Sequence, residues 1–200
     1  DGDGTWIAVW MSTDPLGGPP SVDFDVLVAR STDGGVTWSA PVLLAGADAG
    51  AGYDGNPTIA VDAAGGWVVA WNGVTDAGTE IIVTRSSDGG QHWAAPVAIS
   101  SGQSNGGPAL ATPRAGVWLA TWEAFDPIAV DTGIVLATST DGGRSWSLPV
   151  PLAMDTSSGV EASIAAEATG AFVAAWYSNA GFGGGTDQDV LVSRGSVLPL

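Results

Sequence analysis

The sequence of 200 residues has no cysteine and no lysine, one histidine and five arginines, against 21 acidic residues. Without cysteine, the chain forms neither disulfides nor thiolate metal sites. The net charge of −16 argues against nucleic acids and anionic membranes as partners, because both would be repelled. No stretch approaches the roughly 18 consecutive apolar residues of a membrane-spanning helix, so no membrane insertion is predicted.

Motifs that carry chemistry are also scarce. The sequence contains no Ser/His/Asp set, no phosphate-binding loop and no His-rich metal motif. What it does contain is an apolar content of 45%, only 13% charged residues and 30 glycines. This composition is typical of a folded chain with many turns.

One short phrase occurs three times, with its aspartates 55 and 53 residues apart. Its serine, aspartate, glycine and tryptophan are Ser31, Asp33, Gly35 and Trp38, then Ser86, Asp88, Gly90 and Trp93, then Ser139, Asp141, Gly143 and Trp146. A fixed period of this size indicates a repeat architecture. The Asp-Gly-Gly core tolerates the positive φ angles of tight hairpins. A proline follows each copy, so each phrase is predicted to join an inner strand to an edge strand.

A second repeat consists of aromatic pairs four residues apart. The pairs are Trp6 and Trp10, Trp67 and Trp71, Trp118 and Trp122, and Phe172 and Trp176. In a strand this spacing places both rings of a pair on one face. Because the pairs recur in every unit, we expect them to form the core and not a sugar-stacking surface.

The two repeats define units of strands A, B and C, then the Asp-Gly-Gly corner, then strand D. Residues 1–46 form a unit without strand A, residues 57–99 and 108–152 form complete units, and residues 162–200 form a unit without the corner and strand D. The predicted fold class is therefore all-β, with four-stranded antiparallel sheets. Strand A is expected to lie innermost, because its small residues suit a crowded axis.

The repeated phrase resembles the Asp-box, or bacterial neuraminidase repeat. The chain therefore resembles about three and a half blades of a sialidase-like β-propeller. His92 and Ser145 replace the usual threonine and are expected to weaken single turns. Six blades would need roughly 325 residues, so the open edges are predicted to meet the remaining blades or another chain. Closure with four blades by an irregular route is the other possibility.

The charges are predicted to separate onto two rims. In such a propeller the B–C and D–A loops share one rim, called the acidic rim because most of the acidic residues fall there. The A–B turns and Asp-Gly-Gly corners share the opposite rim, called the Asp-box rim, where all five arginines fall. The sialidase resemblance implies three substrate-binding arginines, a Tyr/Glu nucleophile pair and an acid/base aspartate on the acidic rim. No arginine maps there, and the family's Phe/Tyr-Arg-Ile-Pro motif is absent.

The favoured function is therefore a non-catalytic scaffold or recognition module of a secreted or cell-surface protein. Its acidic rim would bind a glycan, a protein or a cation. The alternative is an exo-sialidase whose catalytic arginines lie outside this segment. A purely structural assembly module, whose edge blades pair with another chain, is a third class.

Candidate binding residues are the aromatic and acidic side chains of the acidic rim. Those predicted to contact a ligand are Tyr53, Asp54, Glu123, Phe125, Asp126 and Tyr177. Clustered carboxylates suit Ca²⁺, which takes oxygen ligands, and the predicted Ca²⁺ ligands are Asp23, Asp25, Asp187 and Asp189. The segment 1–4 looks like a calcium loop but aligns with an A–B turn, so it is predicted to be a turn.

Overall fold

The structure is a computed structural model and describes residues 1–14, 16, 23–44, 52–100, 106–126, 131–153, 160–178 and 189–197. All regular structure in these ranges is β-strand. Within them, no helix is long and apolar enough to cross a membrane. The all-β prediction is confirmed.

The strands form four antiparallel sheets, called blades 1 to 4 in chain order. Blade 1 contains β1 (Trp6–Ser12), β2 (Asp25–Ser31) and β3 (Val42–Leu43). Blade 2 contains β4 (Asp54–Val61), β5 (Trp67–Thr75), β6 (Gly78–Ser86) and β7 (Val97–Ala98). Blade 3 contains β8 (Ala109–Arg114), β9 (Val117–Asp126), β10 (Asp131–Ser139) and β11 (Val150–Ala153). Blade 4 contains β12 (Val160–Ala166), β13 (Ala171–Ser178) and β14 (Asp189–Ser196).

Every blade is a meander in which neighbouring strands in the chain are neighbours in the sheet. The central ladders are long because alternating apolar residues fit a pleated sheet that is covered on both faces. The β5–β6 ladder, for example, runs from Trp67 opposite Ser86 to Thr75 opposite Gly78. The outer strand β7 is short and follows Pro96, in keeping with an edge position.

The blades pack face to face, with one apolar cluster in each interface. One cluster joins blades 1 and 2, a second joins blades 2 and 3, and a third joins blades 3 and 4. The first strands of blades 2, 3 and 4 contact one another in turn, β4 with β8 and β8 with β12. These strands are therefore the inner ones, around which the sheets are arranged.

The repeated aromatic residues form the core of the inner blades, as expected. Trp71, Trp118 and Trp122 are among the largest fully buried side chains. Trp6 is different, since it is largely exposed on the outer face of blade 1. The core prediction is thus wrong for Trp6, because no blade among the described residues packs on that face.

Candidate functional site

The Asp-box corners share one set of local hydrogen bonds. In each corner the serine Oγ donates to the aspartate and accepts the backbone N–H of the second glycine. The N···Oγ distances are 2.9 Å for Gly35 and Ser31, 2.9 Å for Gly90 and Ser86, and 3.0 Å for Gly143 and Ser139. Both glycines of every corner have positive φ angles, which glycine adopts without steric penalty. The repeated phrase therefore closes on itself before any tertiary contact is made.

The variable fourth residue after each aspartate makes the same contact in all three corners. The aspartate Oδ2 lies 2.5 Å from Thr37 Oγ1, 2.6 Å from His92 Nδ1 and 2.6 Å from Ser145 Oγ. Replacement of threonine by histidine or serine thus keeps the hydrogen bond. The expected weakening of these turns has no counterpart in the geometry.

These hydrogen bonds stabilise the charged carboxylates. The Thr37 hydroxyl and backbone N–H, with Ser31, lower the pKa of Asp33 to about 2. The backbone N–H of His92, then its side chain, lowers the pKa of Asp88. Burial raises the pKa of Asp141, but hydrogen bonds from Ser145 and Ser139 outweigh it and lower the pKa to about 2. The corners are therefore built around ionised aspartates.

The A–B turns lie on the same rim as the corners. The backbone N–H of Gly34 donates to the carbonyl of Gly4 at 3.0 Å, and that of Gly142 to Gly116 at 2.9 Å. The buried carboxylate of Asp62 links two blades, because its Oδ2 accepts the N–H of Gly116 at 2.7 Å. The Asp-box rim is therefore one connected layer of turns.

The segment 1–4 belongs to this layer of turns. Asp1 Oδ1 accepts the backbone N–H groups of Asp3 and Thr5, both at 2.9 Å. Asp62 Oδ1 does the same for Ala64 and Gly66 in the equivalent turn of blade 2. An aspartate that caps its own turn is an ordinary Asx-turn, and the segment takes the place predicted for it.

All five arginines stand at the Asp-box rim. Arg30 donates to the carbonyl of Gly89, Arg85 packs against Gly143, Arg114 packs against Gly170, Arg144 donates to the carbonyl of Asp141, and Arg194 pairs with Val173 near the end of β14. Three of them, Arg30, Arg85 and Arg114, touch a turn of the following blade. The acidic rim receives no arginine.

Two acidic side chains of the acidic rim are buried and hydrogen-bonded. Asp54 Oδ1 accepts the indole N–H of Trp71 at 2.9 Å, and Glu80 Oε2 accepts the Thr75 hydroxyl at 2.6 Å. Asp54 therefore holds the core tryptophan and is not presented to a ligand. The prediction of Asp54 as a contact residue has a structural role as its observed counterpart.

A pocket of about 400 Å³ opens on the acidic rim, where blades 2, 3 and 4 meet. Its wall consists of Asn56 and Pro57 at the start of β4, the segment Gly106–Pro108 before β8, Glu123 on β9, and Glu161 on β12. We call it the axial pocket, because the inner strands supply most of its wall. Two carboxylates and one amide thus face a single opening.

Glu123 is the partly buried carboxyl of the axial pocket. Burial raises its pKa, because a low-dielectric surrounding disfavours the charged form. The side chain lies against Gly106, where an added Cβ would stand 2.4 Å from Glu123 Oε2. The Gly106 carbonyl in turn accepts a hydrogen bond from the buried Asn72 amide at 3.0 Å. Asn72, Gly106 and Glu123 therefore form one wall between blades 2 and 3.

The other predicted contact residues are dispersed. Tyr53 packs edge-to-face on Phe24, with centroids 5.7 Å apart, and its hydroxyl is 3.6 Å from Met11 Sδ. Phe125 is half-buried in β9, and Tyr177 lies exposed on the open face of blade 4. The backbone of Asp126 pairs with Asp131, while its side chain lies outside the described part of the structure. Only Glu123 of the predicted set lines the axial pocket.

The predicted Ca²⁺ ligands are not gathered into a complete site by the described residues. Asp23 and Asp25 are half-buried and engaged in interactions, and Asp189 begins β14 opposite Ser178. Asp187 lies outside the described residues. Among those described, no three His, Cys, Asp or Glu side chains converge, whereas Ca²⁺ takes about six to eight oxygens. The Ca²⁺ site stays a prediction.

Two pocket residues were missed by the choice of candidates. Asn56 and Glu161 have φ angles of 50° and 56° and lie where the strand register shifts in β4 and β12. Positive φ is uncommon for a glutamate and often accompanies a functional site. The available signal was their shared place in the repeat, two residues before Thr58 and Ser163. Both side chains are exposed at the pocket.

Comparison with known proteins agrees with this geometry. The BNR/Asp-box repeat family matches residues 29–40 and 137–148, which contain the first and third corners. No curated protein sequence matches the chain. The chain carries BNR/Asp-box repeats and has the fold of a sialidase-like β-propeller. The predicted family resemblance is confirmed.

Solved structures of the same fold have diverse activities. The Hadza microbial sialidase Hz136 aligns with a TM-score of 0.67 at 21% identity, over 96% of this chain and 42% of that protein. The α-L-arabinanase of Penicillium chrysogenum, complexed with arabinobiose, aligns with 0.66 at 16% identity, over 96% and 60%. A PL25 ulvan lyase aligns with 0.65 at 10% identity, over 97% and 53%. The chain thus spans between 42% and 60% of these proteins, and the likeness concerns the fold alone.

Proposed function

We propose that this chain binds carbohydrate in the axial pocket, as a recognition module of a secreted or surface protein. The observation that carries the proposal is the convergence of Asn56, Glu123 and Glu161 from three blades on one opening. Ligand pockets combine a concave wall with a few convergent polar groups. Carboxylate and amide oxygens accept hydrogen bonds from sugar hydroxyls. The solved structures of the same fold include proteins that act on glycans.

The charge of the pocket favours an uncharged glycan. Glu123 and Glu161 would repel a sugar carboxylate, and the five arginines stand on the opposite rim. A sialic acid residue would therefore enter an uncompensated negative field. A neutral saccharide would meet acceptors without that repulsion. Arabinobiose, the ligand of the Penicillium protein, is a suitable neutral probe.

Isothermal titration calorimetry with two probes tests this proposal. Arabinobiose and a neutral xylo-oligosaccharide should release heat with the parent chain, and sialyllactose should not. Glu123→Gln should weaken binding of the neutral probe about tenfold, the cost of one charge-assisted hydrogen bond. Glu167→Gln, on the Asp-box rim, is the matched control and should bind like the parent. Absence of heat with every neutral glycan would rule the proposal out.

Glycoside hydrolysis is the second candidate, and the raised pKa of Glu123 favours it. A carboxyl that keeps its proton can act as a general acid on a glycosidic oxygen. Glycosidases need a second carboxylate, and Glu161 lines the same pocket. Release of p-nitrophenol from aryl arabinofuranosides, lost in both Glu123→Gln and Glu161→Gln, would establish this activity. Binding without release would leave recognition as the function.

Exo-sialidase activity of a longer protein is the third possibility. It requires three arginines on the acidic rim, which residues 1–200 do not place there. A fluorogenic sialoside assay on a longer polypeptide separates this case from the other two. Turnover of the sialoside together with silence towards neutral glycans would favour it.

A further inference from the structure

The two end blades expose residues whose counterparts in the inner blades are buried. Val192 of β14 is 61% exposed, whereas Val83, at the same place in blade 2, is 1% exposed. Val173 of β13 is 43% exposed, against 1% for its counterpart Val68. These valines form one side of blade 4, which we call the trailing face.

The opposite end of the chain shows the converse. Trp6 of β1 is 57% exposed, while its counterpart Trp67 is 6% exposed. Trp67 is covered because it packs on blade 1, in a cluster with Ile7, Val26 and Val28. The side of blade 1 that carries Trp6 and the corner tryptophan Trp38 is called the leading face. Trp38 is exposed as well.

The inner interfaces show which parts cover a trailing face. The second corner glycine of the next blade sits on the valine position, since an added Cβ on Gly143 would stand 3.1 Å from Val68 Cγ2. Gly90 approaches Ile7 of blade 1 in the same way. The arginine at the end of the third strand reaches the same corner, as Arg30 does with the Gly89 carbonyl.

Blades 1 and 4 carry the unused halves of this interface. Blade 4 presents Val173 and the exposed Arg194, which correspond to Val68 and Arg85. Blade 1 presents the corner glycines Gly34 and Gly35 with no contact on their outer side beyond their own blade. Each half has its complement at the other end of the same chain.

We propose that the trailing face of blade 4 binds the leading face of blade 1 in a second copy of this chain. The corner glycine Gly35 of the second copy seats on Val173, and Arg194 donates to its Gly34 carbonyl. The contact is head-to-tail, because the two surfaces are different. It extends the blade-to-blade packing that recurs three times within the chain, which is why a blade of this repeat is the fitting occupant.

Light scattering on the 200-residue chain tests the association. The parent should have a mass of at least twice 19.9 kDa at concentrations near 100 µM. Val192→Asp, with a charge on the trailing face, should be monomeric with an unchanged circular dichroism spectrum. Leu148→Asp, an exposed leucine outside both faces, is the control and should associate like the parent. A monomeric parent would overturn the proposal, including the case in which further blades of a longer polypeptide cover these faces.

Arg194→Ala measures the arginine contact. The dissociation constant should rise about tenfold, and Arg144→Ala, on the same rim but inside a corner, should leave it unchanged. Equal constants for both variants would contradict the proposed register.

Cross-linking tests the head-to-tail geometry, because the chain has no cysteine of its own. Val192→Cys and Trp38→Cys chains should form a mixed disulfide when combined. Neither variant should form a disulfide with itself. A Val192→Cys homodimer, or an associated mixture without the mixed disulfide, would overturn the head-to-tail arrangement.

Discussion

The two rims of the propeller follow different rules. On the Asp-box rim the same residue types make the same hydrogen bonds in three successive blades. On the acidic rim the residue after the second aromatic of each pair differs in every blade: it is Met11, Asn72, Glu123 and Tyr177. A feature repeated in every blade serves packing, which every blade needs. A position that varies between blades is free to serve a ligand, since function resides in sites placed on a fold.

The largest effect is expected from the glycine at which two blades meet. Gly143→Ala places a side chain at a φ of 78° and 3.1 Å from Val68. Positive φ and overpacking together should lower the free energy of unfolding by about 2–4 kcal/mol. Gly34→Ala, at a φ of 75° with open space around it, is the control and should cost about 1–2 kcal/mol. Urea denaturation measures both, and equal losses would show that the corner glycines do not bring the blades together.

Asp62 is the next strongest test of the Asp-box rim. Asp62→Ala removes the acceptor of three backbone N–H groups, one of them from blade 3. Leaving these donors unpaired should cost about 1–3 kcal/mol. The exposed Asp1→Ala in the equivalent turn of blade 1 should cost less. The comparison of their denaturation midpoints would fail if Asp1 proved the more important.

Acid should weaken the Asp-box rim before the acidic rim. The pKa of Asp33 and that of Asp141 are lowered from the ordinary 3.8 to about 2. A lowered folded-state pKa gives stability that is present above pH 4 and is lost as the pH falls towards 2. Thermal midpoints between pH 2 and pH 5 should therefore decline, and less steeply in Asp141→Asn. An unchanged slope in that variant would show that the corner carboxylate is not responsible.

Glu123 should show the opposite sign and the smallest effect on stability. Its raised pKa means that the ionised form is disfavoured in the fold, so stability falls as the pH rises through the folded-state value. Glu123→Gln should change the free energy of unfolding by about 0.5 kcal/mol or less, and should remove this decline. Denaturation at pH 5 and pH 8 checks the sign. A steeper decline in the variant would contradict burial as the cause.

Much of the fold could be predicted because its signals are local and repeated. Asp88 and its neighbours satisfy their hydrogen bonds within a few residues, so the corner is legible without the rest of the chain. The aromatic spacing of Trp118 and Trp122 reports one face of one strand. The burial of Trp67 and the exposure of Trp6 could not be distinguished in this way, because the difference depends on which blade lies next to each.

The axial pocket could be predicted only in part. Glu123 was a candidate because it follows a core tryptophan and points to the acidic rim. Asn56 and Glu161 lie in other blades, about 50 and 100 positions apart along the repeat from one another's neighbours, and only the ring arrangement brings them to one opening. Asp54, chosen for its charge, is instead held by the Trp71 indole.

The amino-acid order by itself determined the blades, their corners and the separation of acidic residues from arginines. These properties follow from turn chemistry and alternation within single repeats, and short-range interactions encode them. The tertiary structure alone decided which faces are covered and which side chains share a pocket. Such properties depend on the packing of one blade against another, over distances in the chain that no local pattern records.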